Sequence, residues 1–117
     1  MAISHASSGQ LIDVRPLGQR LSGEVSIALF KSEQLEVIRL VLPAGKSFPP
    51  HQVAGEITVH CIEGRIDVTV EGHSNVLEAG QMLFLSGGVP HAVYALEDAS
   101  ALVTIVLCRP PGEGAEA

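Results

Sequence analysis

Aromatic residues are nearly missing from this chain, which has no tryptophan, one tyrosine and three phenylalanines. A sequence that is 46% hydrophobic with so few rings must build its core from Val, Ile, Leu and Ala. Branched aliphatics of that kind favour pleated sheet. Positive charge is scarce as well. Seven Lys and Arg against 13 Asp and Glu leave a net charge of −6. That balance argues against a nucleic-acid phosphate backbone as partner, and against an anionic membrane surface. Cys61 and Cys108 are the only cysteines, too few for a disulfide scaffold and without metal-ligand spacing. Both fall in apolar strand patterns and read as free buried thiols of a cytoplasmic protein. No apolar run reaches membrane-spanning length. The start has no basic region followed by an apolar stretch, so no signal peptide is expected. There is no Ser-His-Asp order and no phosphate loop; Gly87-Gly88 is a turn signal.

What remains is a chain of 117 residues, enough for one domain with its own core. Neither a linker nor an internal repeat divides it. The serine-rich start (1–10) and the tail (110–117) are expected to be disordered, with a single domain over 11–109. Between the ends, alternation of apolar and polar residues dominates. Arg65-Ile66-Asp67-Val68-Thr69-Val70-Glu71 is apolar at every second position, the period of a half-buried strand. Glu63-Gly64 joins it to a second such run, 56–62, and predicts a hairpin. Further strands are expected at 25–30, 37–42, 76–77, 82–85, 91–96 and 101–108. About eight short strands, punctuated by glycine turns and nearly free of helix, indicate an all-β barrel or sandwich.

Two histidines stand in glycine-and-proline frames at strand edges. One follows Gly45-Lys46-Ser47-Phe48-Pro49-Pro50, giving His51; the other follows Ser86-Gly87-Gly88-Val89-Pro90, giving His91. Two imidazoles brought together by separate strands suggest a metal site. Glu56, Thr58 and His60 alternate along one strand and share a face, with Ile57, Val59 and Cys61 on the other. Either set can face inward, because a bulge near Ala54-Gly55 would shift the register by one and turn every side chain over.

These frames resemble the cupin family, in particular its small single-domain, RmlC-like members. The first cupin motif runs Gly, five residues, His-x-His, three or four residues, Glu, six residues, Gly. Gly45, His51 and Gly64 match it, whereas Val53 replaces the second histidine and Ile57 stands at the glutamate position. The second motif runs Gly, five residues, Pro-x-Gly, two residues, His. Gly80, Gly88 and His91 match it, with Ser86 in place of the proline and Ala95 in place of the usual asparagine. The resemblance implies an antiparallel jelly-roll barrel and, in members with a full motif, a divalent transition metal held by three histidines and a carboxylate or amide. Only His51 and His91 survive in the family register; the shifted register would add His60 and Glu56. The metal among nickel, zinc, iron, manganese and copper is not distinguishable. Small cupins commonly form homodimers, and the apolar stretch Leu11-Ile12 with Val14 would suit a strand added to a partner's sheet. The depleted motif points to small-molecule binding in a mostly aliphatic cavity, with His51 and His91 orienting an apolar or weakly polar ligand. The alternative is a metal-dependent dioxygenase or isomerase.

Overall fold

Alternating burial organises the chain from strand to strand. The structure is a computed structural model that describes residues 5–107, with Pro49, Pro50 and His51 described by their backbone alone. Its nine strands are β1 (Ile27–Lys31), β2 (Leu35–Leu42), β3 (Ser47–His51), β4 (Ile57–Glu63), β5 (Arg65–Val70), β6 (His73–Glu78), β7 (Met82–Leu85), β8 (His91–Ala95) and β9 (Ala99–Val106). They pair antiparallel throughout, in a five-stranded sheet β1-β2-β9-β4-β7 and a four-stranded sheet β3-β8-β5-β6. This is an all-β antiparallel jelly roll, as the resemblance implied. Every second residue of the inner strands is buried: Ile57, Val59 and Cys61 on β4, Ile66 and Val68 on β5, and Val93 and Ala95 on β8. Both sheets thus feed one aliphatic core.

Three local details depart from the sequence expectations. The hairpin across Glu63-Gly64 is not formed. β4 pairs with β7 and β9, while β5 pairs with β6 and β8. Gly64, at φ 76°, is the corner where the chain passes from one sheet to the other. Apolar alternation tells which face a strand buries, but not which neighbour it pairs with.

The second departure is β3, which contains both prolines. Proline donates no backbone hydrogen bond, so such a strand belongs at an edge. β3 is indeed an edge strand, bonded only to β8, and its register slips between Phe48 and His51. The third is the alternating run 65–71, which ends as a strand at Val70. Glu71-Gly72 form the turn instead, both at positive φ (50° and 83°), the conformation that matches hairpin twist. His73 therefore opens β6 and is exposed.

The N-terminal segment runs over the outer face of the large sheet as a strap, ending in a 3-10 helix at Gly18–Gly23. It is not a strand, and Leu11 is almost fully exposed. In the serine-rich start, expected to be disordered, the Ala6 amide donates to the Leu29 carbonyl. The expected disorder over 110–117 lies outside the described residues. Two charged side chains of the sheet hold the strap. Arg39, only 6% exposed, donates to the carbonyls of Asp13 (2.9 Å) and Arg15 (3.1 Å). Glu63 accepts from the amides of Leu17 (2.9 Å) and Gly18 (3.0 Å) and from the Ser100 hydroxyl.

Partial burial by itself would raise the Glu63 pKa. The hydrogen bonds from Ser100, Leu17 and Gly18, with the Arg39 charge nearby, outweigh it and hold the carboxyl below its ordinary range. A carboxyl with a depressed folded pKa adds stability above its unfolded pKa, and that stability is lost as pH falls through the folded value. Glu63→Gln is therefore expected to cost about 1 kcal/mol at neutral pH. The difference from wild type should narrow as pH falls below about 4. Thermal unfolding of both proteins across that range checks this, and a difference that stays constant with pH overturns it.

Candidate functional site

The aliphatic side chains that close the core at one end leave a cavity of about 400 Å³ at the other. β2 contributes Ile38 and Leu40, β4 Ile57 and Val59, and β9 Val103 and Ile105. From the other side come Phe48 of β3, Val93 of β8 and Val53 from the segment before β4. The remaining wall residue is His91, the single polar side chain among the ten. The register explains the wall. Val103 stands opposite Ile38 on one side and Val59 on the other, so three inward side chains line up across neighbouring strands.

His91 opens β8 directly after Pro90 and is 5% exposed. Its Nδ1 lies 3.1 Å from the Val89 carbonyl. A carbonyl only accepts, so Nδ1 carries the hydrogen and, in the neutral ring, Nε2 is the basic nitrogen. The backbone of His51 stands opposite that of His91 in the β3–β8 pairing. The structure thus brings the two framed histidines to one place in the ladder, while the His51 side chain lies outside the described ones.

Glu56 and His60 do not join them. The ladder between β4 and β9 is continuous from Ile57 to Cys61 and shifts only after Cys61. Ile57, Val59 and Cys61 are the buried residues of that stretch. Ile57 and Val59 line the cavity, and by alternation Thr58 and His60 project from the opposite face. Glu56, just ahead of β4, is exposed. Glu56 and His60 thus stand outside the wall of the cavity. Among the described residues no three of His, Cys, Asp and Glu come together as a metal-binding group.

Other reactive groups lie elsewhere. Cys61 is fully buried in the core and is held against the carbonyls of Glu63 and Gly64. Burial pushes its thiol pKa up, which keeps it a thiol and a poor nucleophile. A second cavity, about 540 Å³, lies under the strap, with Arg15, Arg20 and Arg39 in its wall. Arg39 is committed to the strap carbonyls and Arg15 to Asp13.

The model of the cupin domain family matches residues 38–108, which contain both histidine frames. The chain belongs to the cupin family. Solved cupins and their relatives share the fold. A conserved protein of unknown function from Streptococcus pyogenes is 22% identical, with a TM-score of 0.71 over 94% of this chain and 100% of that one. An RmlC-like cupin from Desulfovibrio desulfuricans is 27% identical, with a TM-score of 0.66 over 88% of this chain and 97% of that one. Salicylate 1,2-dioxygenase from Pseudoaminobacter salicylatoxidans is 19% identical, with a TM-score of 0.63; the match covers 68% of this chain but 24% of that one. Comparison with curated proteins finds no match.

Cupins often hold a transition metal, so the donor set of this one is the point to test. Val53 and Ile57 occupy two of the motif's ligand positions, and both face the cavity as hydrocarbon. Among the described side chains His91 is the single donor in the wall. Even counting His51 from the sequence, two imidazoles with hydrocarbon at the other two motif positions fall short of a centre of four N and O ligands. Sequence reasoning singled out the histidines and expected a mostly aliphatic cavity around them, but not which residues line it. Those residues, Val53 apart, occupy inward positions of five strands, where each looks like ordinary core.

Proposed function

We propose that this cupin is a small-molecule-binding protein whose ligand sits in the aliphatic cavity, with His91 as the polar group that sets its orientation. The observation that carries this reading is the wall itself, nine apolar side chains and one buried imidazole around about 400 Å³. That is the size and chemistry of a pocket for a small apolar molecule. A dioxygenase or isomerase needs a firmly held metal with open positions, and the substitutions at Val53 and Ile57 weigh against one.

Isothermal titration with octanol, an uncharged probe, tests the proposal. Saturable one-to-one binding is expected, about fourfold tighter for each methylene added along an alcohol series until the cavity is full. Excess EDTA should leave it unchanged. Absence of saturable binding would overturn the reading. Binding that appears only after loading with zinc or nickel would favour the metal-dependent alternative in its place.

A further inference from the structure

Among the described residues the cavity wall has no charged side chain, but one cation stands against it. Lys46 lies just ahead of β3, and its carbonyl accepts from the Ala95 amide, continuing the pairing of β3 with β8. A single residue, Ser47, separates it from Phe48, so the two side chains emerge on the same side. The Lys46 ammonium sits over the Phe48 ring, 5.7 Å from its centroid, and Phe48 is part of the cavity wall. The ring thus positions the ammonium by a cation–π contact. Lys46 is exposed, and the ion pairs among the described residues, Arg15–Asp13 and Arg65–Glu97, do not include it.

We propose that the ligand is a monocarboxylic acid with an apolar tail. The tail lies between Leu40, Val59 and Val103, and the carboxylate rests at the rim against the Lys46 ammonium. The inference rests on the reading of the cavity as the ligand site and adds the charge of what enters it. A carboxylate buried among the aliphatic side chains would lose its hydration with no charge to replace it. At the rim it keeps water on one side and meets a cation on the other. The surface as a whole carries a net charge of −6, so an acid is retained only where a local cation faces it. A single ammonium suits a single negative charge.

The test compares octanoate with octanol by isothermal titration on the whole chain. In wild type, octanoate should bind about fivefold more tightly than octanol at low salt. That preference should fade towards about 1 M salt, where screening is nearly complete at contact range. Lys46→Met keeps an apolar stem over Phe48 and should remove the preference while leaving octanol affinity unchanged; Lys46→Arg should retain it. If octanoate and octanol bind alike in wild type, or Lys46→Met leaves octanoate binding intact, the acid assignment falls while octanol binding upholds the cavity. If neither probe binds, the cavity reading itself falls, and the acid with it.

Discussion

Gly64→Ala is expected to destabilise the fold by about 3 kcal/mol or more, combining left-handed backbone strain with a steric clash. In a domain of this size that lowers the melting temperature by more than about 10 °C. Gly64 combines two constraints. Its φ of 76° lies in the left-handed region, where a side chain is strained. A Cβ there would also collide with the Asp98 carbonyl and press on Ala99. Neither neighbour can give way easily, because Ala99 is fully buried in the core and opens β9. Gly72 is the control. Its φ is 83°, but a Cβ there meets open space, so Gly72→Ala should cost about 1 kcal/mol, the backbone part alone. Thermal unfolding of the two variants separates clash from strain. Equal losses at both positions would show that the packing of the sheet-to-sheet corner contributes nothing.

Gly64 also marks where sequence reasoning stops. The alternation 65–71 correctly gives the buried face of β5, because period 2 is a local property of one strand. The partner of that strand is not local. β5 lies between β6 and β8 in the small sheet, and β4 between β7 and β9 in the large one, although one glycine joins them. β3 was hidden for a similar reason. Pro49-Pro50 reads as a strand breaker, and only the edge position in the finished sheet lets a strand contain it.

The candidate site divides along the same line. His91 was legible from its frame, Gly-Gly-Val-Pro-His, since the turn and the proline fix where the strand begins. Whether Glu56 or Ile57 faces inward was not, because one bulge exchanges the two faces. The burial of Ile57 and Val59, both in the cavity wall, decides it. Which residues line the cavity could not be seen from sequence. Its wall is assembled from β2, β3, β4, β8 and β9 and from Val53, and each of its hydrocarbon residues alone looks like ordinary core. A void is a property of how two sheets are spaced, not of any residue in them.

That void gives the second large effect. Val103→Phe is expected to weaken octanol binding by about 50-fold or more, since a ring in the cavity displaces about three methylenes of ligand at about 0.8 kcal/mol each. Val103 is central in β9, between Ile38 and Val59, and all three face the cavity. A ring added to a filled core costs about 1–3 kcal/mol. Here it enters the cavity and gains dispersion contacts with its apolar wall, so the melting temperature should hold or rise. Loss of binding with undiminished stability distinguishes a blocked pocket from a damaged fold. Thr104→Ala, one residue along on the outer face, should leave binding unchanged. Val103→Met provides a smaller obstruction with more freedom to fit, and an intermediate loss is expected. Wild-type affinity in Val103→Phe, with fold intact by circular dichroism, would mean that the probe binds elsewhere, and the cavity between the sheets would then be excluded as the ligand site.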